Sequence, residues 1–463
     1  MQQKIPEKLL LDYYYQNKPY VAQIILSTKQ LYSIFILAIL FLVLLFMNIF
    51  FYHTFLFIDE IIVFMCILFI ILMNLPTIHR FFSIINKDEP EIININNDTL
   101  SNLLQSNNLP IYSILVPLFK EKDIVKQIIS HLSRIEYPKD KLEIFLLLEK
   151  DDNETKSALP DNLPEYFSII EIPAGFPRGK PRALNYGLLQ ANGEFLTIYD
   201  AEDIPDPKQL LKAVAIFKSA DINVWAVQAK LRFNNPKSNW LSLLFYCEYK
   251  YWYDRYLPYL SNKKYPIPLG GTSNHFRTYK LKSLSGWDSF NVTEDADLAL
   301  RIYYEGGKIL LMDSITYERA PITISNWIRQ RTRWVKGLIQ TLLVHTRRKQ
   351  DLPTMKYFLF CISGTLLPFY IIILFIFAIS SSSTVYNKLI ISIQIWAFMF
   401  NITLTAIIYI SELKKVNVCL GSILFFPCIL FYWFLYLAAC FRAIVQFFIC
   451  PFFWDKTDHR INS

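Results

Sequence analysis

Three carboxylates, Asp200, Glu202 and Asp203, stand directly behind the short apolar run Phe195-Leu-Thr-Ile-Tyr199. A parallel α/β sheet presents its ligands at the carboxyl ends of its strands, so a buried strand that ends in acid is a place where chemistry can be held. Clustered carboxylates repel one another and raise each other's pKa unless a cation joins them. Oxygen ligands select a hard divalent ion, Mg²⁺ or Mn²⁺. A solvated acidic turn that caps the next helix has the same composition, and the cluster alone does not separate the two readings.

Further groups extend the chemistry. Glu149, Asp151 and Asp152 follow the apolar run 142–148. Thr293-Glu294-Asp295 opens an apolar helix, where Thr293 is a good N-cap. Capping fixes where Asp295 points, and a rigidly held carboxylate beside a hydroxyl is what general-base catalysis needs. Lys180 and Arg182 lie in a basic loop, and Arg331 and Arg333 in Gln330-Arg-Thr-Arg-Trp334. Guanidinium forks match phosphate oxygens, so with an acidic metal site these are natural counter-charges for a diphosphate. In Pro268-Leu-Gly-Gly-Thr-Ser-Asn-His-Phe276, Gly271 and its neighbour permit close approach of backbone to substrate. Ser273 and Asn274 supply hydrogen bonds for a hydroxyl-bearing ligand, while His275 reads as a packing residue.

The elements that must position these groups alternate. Runs at 111–116, 142–148, 167–172, 195–199 and 225–229 read as strands separated by helical patterns, which predicts a parallel sheet with right-handed crossovers. The stretch 240–260 is aromatic, and its Trp and Tyr residues suit a membrane surface as well as sugar stacking.

Composition bounds the rest. The 463 residues are 53% hydrophobic and 16% aromatic, too apolar for an ordinary soluble enzyme. The net charge of +8 is not gathered into one arm or stripe, which argues against nucleic acid. Seven cysteines lie mostly in apolar runs without metal-ligand spacing and read as reduced packing residues. Apolar runs at 31–51 and 61–78 precede the charged middle, and runs at 356–379, 389–410 and 418–454 follow it. The loop between the first two lacks Lys and Arg, whereas the chain start and the residues after the second run are basic, which places both on the cytoplasmic side. The last run, interrupted by Arg442, admits one span plus an interfacial helix or two tight spans, and two crossings are the expectation.

In order along the chain, Leu115-Val-Pro-Leu-Phe-Lys-Glu121, Leu147-Leu-Glu-Lys-Asp-Asp152, the loop 180–185, Asp200-Ala-Glu-Asp203, Gly270-Gly-Thr-Ser-Asn274, Thr293-Glu-Asp295 and Gln330-Arg-Thr-Arg-Trp334 form a set. That set resembles the membrane-embedded family 2 glycosyltransferases of the cellulose synthase, hyaluronan synthase and poly-N-acetylglucosamine synthase type, in an XagB-like bacterial branch. The tail 451–459 resembles the family's terminal W-x-K-T-x-H element.

The resemblance implies an α/β GT-A glycosyltransferase domain inserted between transmembrane α-helices, two before and three or four after. The expected organisation is a cytoplasmic N-terminal segment (1–30), two transmembrane helices (31–80), a linker (86–109), the catalytic domain with interfacial helices (110–350), a C-terminal transmembrane region (355–454) and a tail (455–463).

It implies donor contacts from Pro117, Glu121, Glu149, Asp151, Lys180, Arg182, Gln330, Arg331 and Arg333, and a cation on Asp200, Glu202 and Asp203. Acceptor contacts fall to Gly271, Thr272, Ser273, Asn274, Glu294 and Trp334, and the base to Asp295. The implied activity is processive, inverting transfer from a UDP-sugar to a β-linked polysaccharide at the cytoplasmic membrane face, with membrane lipids and accessory export or regulatory subunits as partners. One alternative is transfer of a single sugar to a lipid such as ceramide or polyprenyl phosphate. Another is an inactive nucleotide-sugar-binding sensor or transporter, which predicts loss of the base or metal acids; both are present.

Overall fold

The computed structural model describes residues 20–50, 56–86, 88, 91–106, 108–349, 351–358, 385–413 and 422–456. The chain start, the run 359–384, Lys414 with Lys415, and the end of the W-x-K-T-x-H tail lie outside the described residues.

An eight-stranded mixed sheet carries the middle of the chain. Its strands are β1 (Tyr112–Leu118), β2 (Leu142–Glu149), β3 (Phe167–Ile172), β4 (Phe195–Ile198), β5 (Ile204–Pro205), β6 (Val224–Phe233), β7 (Asn274–Arg277) and β8 (Lys308–Glu318), in spatial order 3-2-1-4-7-6-8-5. The first four pair in parallel, as their crossover helices require. β7 then runs antiparallel to both β4 and β6, and β5 antiparallel to β8, so the expected all-parallel sheet is a mixed one. The chain leaves β6 through the helices of residues 240–262 and returns through the Gly270-Gly271 turn, which delivers β7 between β4 and β6.

β1 and β2 are almost wholly buried, which is why they read as unbroken apolar runs. Helix α1 (Thr28–Phe50) and helix α2 (Leu56–Ile85) precede the sheet. Helix α3 (Lys180–Gln190) lies flat on β1 and β2; a Cβ on its Gly187 would come within 2.8 Å of Leu115 and 3.0 Å of Leu147. Only glycine permits that approach, and it sets how far Lys180, at the helix start, reaches over the strand ends.

The aromatic stretch is helix α4 (Trp240–Tyr251), followed by a π-helical turn at Trp252–Tyr256. Helix α5 (Glu294–Tyr304) begins with the acidic pair. Helix α6 (Ile324–His345) carries the Gln-Arg-Thr-Arg-Trp motif, and its Gly337 abuts Thr293, where a Cβ would sit 2.5 Å from the Thr293 side chain. Helix α7 (Val385–Leu413) packs on α2, and helix α8 (Ser422–Ile449) packs along α6.

Among the described residues, Ile391–Leu413 and Pro427–Ile449 are long and apolar enough to cross a bilayer. The last apolar run is therefore one continuous helix, not two crossings; Arg442 stays within it by pairing with Asp455 at 2.7 Å, beyond the helix end.

Candidate functional site

The carboxyl ends of β1, β2 and β4, the glycine turn before β7, and the starts of α3 and α5 surround a cavity of about 1010 Å³. That is at the upper end of the ~300–1,000 Å³ usual for small-ligand pockets, so it has room for more than one ligand. It continues past Trp334 to Arg80, Tyr357 and Tyr436, residues of the surrounding helices.

One end is built from the loops after β1 and β2. Glu149 is buried and lines the cavity. Burial pushes its pKa up, with Arg178 acting in the other direction. Its two neighbours do other work. Asp152 accepts from the backbone N–H of Lys120 at 2.5 Å and of Thr155 at 3.2 Å, which ties the β1 loop to the β2 loop. Asp151 is exposed and holds Arg178, whose guanidinium lies 4.3 Å over the Phe119 ring. Of these three acids only Glu149 lines the cavity. Pro117 and Glu121 line the same end, and Glu121 pairs with Lys456 at 2.9 Å.

At the centre, Asp200 and Glu202 line the cavity while Asp203 sits behind them, fully buried. The carboxylate of Asp203 accepts from the Asp200 N–H at 2.7 Å and from the Thr272 hydroxyl, which locks the acidic turn to the glycine turn. Burial, then Asp200, holds its pKa well above the carboxylate range. Glu318, at the end of β8, is raised by burial and by the same acids.

Lys180 faces this cluster. Its ammonium donates to Asp200 Oδ1 at 2.5 Å and to the Gly271 carbonyl at 2.7 Å. Burial opposes its charge, but Asp200 and Glu294 outweigh burial and raise its pKa.

Asp295 lies across from Lys180. A Cβ on Gly271 would be 3.7 Å from Asp295 Oδ2 and 3.8 Å from the Lys180 ammonium, so the glycine turn runs between base candidate and cation. Asp295 Oδ1 accepts the Ala296 N–H at 2.8 Å. Burial raises its pKa, and burial with Asp295 beside it lifts Glu294 to about 8. A carboxylate kept partly basic in a cleft is suited to taking a proton.

The arginines part company. Arg333 lines the cavity within electrostatic reach of Glu294, Asp200 and Asp295, and its guanidinium lies 4.5 Å over Trp454. Arg331 is committed elsewhere: it binds both oxygens of Glu248, one at 2.8 Å, and sits between the rings of Phe245 and Trp334 at 4.7 and 4.5 Å. Arg182 donates to the Pro173 carbonyl at 2.7 Å and does not line the cavity. Ser273 and Asn274 also turn away, the first to Thr316 at 2.6 Å and the second to the Gly270 carbonyl. Gly271, Thr272, Gln330 and Trp334 line the cavity.

Sequence reasoning missed Arg178, Glu248, Glu318 and Lys456, all of which line it. Glu318 ends an apolar strand, as Asp200 does, and that was its available signal.

Six acids, Asp200, Glu202, Asp203, Glu294, Asp295 and Glu318, thus converge on Lys180 and Arg333. Asp203 Oδ1 is buried without a hydrogen-bond partner among the described residues. Among the described residues no three of these groups come together as they stand to hold a metal ion; Asp200 and Glu202, which line the cavity, are the acids that could take a divalent cation together with a ligand's oxygens. With Lys180 on Asp200, the protein supplies a partial set and a ligand would complete it.

The model of the family described as glycosyltransferase-like family 2 matches residues 110–337. A protein of Bacillus subtilis named probable glycosyltransferase YdaM is 30% identical over 235 residues, 50% of this chain and 55% of that protein. A beta-monoglucosyldiacylglycerol synthase of Trichormus variabilis is 26% identical over 242 residues, covering 51% and 50%. The chain spans about half the length of these curated relatives. Among solved structures, the mannosyltransferase PcManGT of Pyrobaculum calidifontis, in complex with GDP-Man and Mn²⁺, aligns with a TM-score of 0.52 at 18% identity over 84% of this chain and 98% of that one. That likeness is one of fold.

Proposed function

We propose, from the match of residues 110–337 to the glycosyltransferase-like family 2 model, that the protein transfers a hexosyl unit from a UDP-sugar to an acceptor hydroxyl delivered from the membrane side of the cavity. The observation that carries this reading is the placement of Asp295 opposite the Lys180–Asp200 pair across Gly271, with Trp334 farther along the same cavity.

The donor's nucleotide lies against Pro117, Glu121 and Glu149, and its diphosphate faces Lys180 and Arg333. Asp200 and Glu202 would hold Mg²⁺ or Mn²⁺ with the diphosphate oxygens, and the ion when bound neutralises charge on the leaving group. Asp203 fixes the turn that presents both acids. Asp295 accepts the acceptor's proton, Glu294 and Thr272 border the acceptor, and attack opposite the leaving diphosphate inverts the anomeric carbon. Trp334 offers an indole face for a sugar ring, held from behind by Arg331.

Repeated transfer would extend a β-linked polysaccharide at the cytoplasmic face, threaded between the helices that border the cavity. The likeness to a beta-monoglucosyldiacylglycerol synthase favours a second reading, addition of one sugar to a membrane lipid. Incubating membranes that contain the protein with each labelled UDP-sugar and sizing the product separates the two. Label that grows into high-mass material supports the polymer reading, label confined to an organic-extractable monoglycosyl lipid supports the other, and label in neither removes both.

A further inference from the structure

Arg80 lies near the end of α2 and lines the cavity at its membrane end. Its guanidinium carbon is 5.9 Å from the Tyr256 ring centre, and the phenols of Tyr251, Tyr409 and Tyr436 surround it. Its backbone is pinned: the Arg80 carbonyl accepts from Tyr251 Oη at 2.8 Å and from Ser83 Oγ at 2.7 Å. The side chain is not. Among the described residues no carboxylate comes within ion-pair reach of it, and its buried Nε has no hydrogen-bond partner.

Other enclosed cations of the domain are treated differently. Arg331 holds Glu248, Arg301 holds Asp297, Arg232 holds Asp254, and Lys180 holds Asp200. Withdrawing a guanidinium from water without a counter-charge is costly, so a lone one facing a cavity between apolar helices marks a place for an anion. The donor's diphosphate does not fit that role. On the glycosyl-transfer reading it faces Lys180 and Arg333, which share Asp200 and Glu294 as neighbours, whereas Arg80 sits among the phenols of Tyr256, Tyr251, Tyr409 and Tyr436.

We propose that Arg80 anchors the phosphoryl group of a phosphate-bearing membrane lipid that serves as acceptor or as carrier of the growing acceptor. This rests on the glycosyl-transfer reading with a lipid-borne acceptor. The guanidinium fork suits phosphate oxygens, and of the surrounding phenols those of Tyr409 and Tyr436 can donate to the same oxygens.

The test uses full-length protein in neutral detergent and reads binding, not turnover. Dihexanoyl phosphatidic acid, dihexanoylglycerol, inorganic phosphate and UDP are titrated by calorimetry into wild type, Arg80→Gln and Arg80→Lys. Wild type should prefer phosphatidic acid over the neutral lipid by about tenfold or more, Arg80→Gln should lose that preference, and Arg80→Lys should keep part of it. UDP affinity should be unchanged in both variants, which shows the variants folded and keeps this outcome separate from the donor site. Undiminished phosphatidic acid binding by Arg80→Gln would overturn the proposal. So would loss of UDP binding in that variant, which would place Arg80 in the donor site, or inorganic phosphate binding as tightly as phosphatidic acid, which would make the ligand a free anion. Failure of wild type to bind UDP would count against the glycosyl-transfer reading instead, with the lipid comparison still read on its own terms.

Discussion

The ammonium of Lys180 and the carboxylate of Asp200 are joined at the centre of the cavity at 2.5 Å, and the same ammonium holds the Gly271 carbonyl at 2.7 Å. One side chain from the start of α3 thus ties the acidic turn after β4 to the glycine turn before β7. On the proposed reading Lys180 faces the donor's leaving group. Lys180→Gln keeps much of the length and removes the charge, and the expected result is a fall in turnover of at least about tenfold with weaker UDP binding, measured by labelled transfer and calorimetry. Unchanged UDP affinity would show that Lys180 only ties the turns together.

Arg331 and Glu248 make a second test. Arg331 is 2% exposed and sandwiched between aromatic rings, and Tyr432 Oη donates to the same carboxylate at 2.7 Å. Removing one partner of such a pair leaves an uncompensated charge, a loss of about 3–5 kcal/mol, whereas replacing both with apolar residues is often close to neutral. Arg331→Met and Glu248→Leu should each lower the thermal midpoint more than the double variant does. A double variant worse than either single one would show that the pair contributes net stability.

Much of this site was legible because its acids end strands or start helices. Asp200 follows four buried residues of β4 and Asp295 opens α5, and both positions follow from local pattern alone. Glu318 escaped notice because β8 contains Asp313 and Ser314 in mid-run, which blurs its apolar signature. The pairing of Arg331 is illegible in the sequence for another reason. Its type and spacing match Arg333, and only the tertiary approach of Glu248 from α4 assigns its charge elsewhere. Ser273 and Asn274 look like sugar ligands by chemistry, yet the start of β7 turns them into the protein. The mixed sheet had the same cause, since an antiparallel strand of four residues leaves no periodic signal.

Trp334 lies within 6.0 Å of the Phe245 ring and 5.9 Å of the Tyr249 ring, on top of Arg331. Trp334→Ala removes the indole face from the acceptor region but leaves Lys180, Asp200 and Arg333 in place. The expected variant binds UDP normally and still releases free sugar from donor, while transfer to acceptor falls by at least about fivefold, the worth of roughly 1 kcal/mol of stacking. Normal elongation would remove Trp334 from the acceptor site.

Asp288 links the N-terminal segment to the loop that leads into α5, accepting from Ala22 N at 2.6 Å and Phe290 N at 2.9 Å. Burial and nearby Asp297 push its pKa up to about 7. Because the folded value lies above the unfolded one of about 4, the folded protein keeps a proton that the unfolded chain releases, and stability falls as pH rises from roughly 4 to 7. Thermal midpoints between pH 5 and 8 should decline more steeply for wild type than for Asp288→Asn, which carries no titrating group there. Equal slopes would assign the pH dependence to other residues.

The central claim is that Asp295 is the base of a glycosyl transfer whose donor is held by other residues. Asp295→Asn keeps size and capping capacity but cannot take a proton, so the measurement is labelled hexose transfer from a UDP-sugar alongside UDP binding, for wild type and variant. The account predicts UDP affinity within about twofold of wild type and transfer reduced by roughly 10²- to 10⁴-fold. Wild-type transfer by Asp295→Asn would contradict it, and loss of UDP binding in that variant would make Asp295 a donor ligand instead.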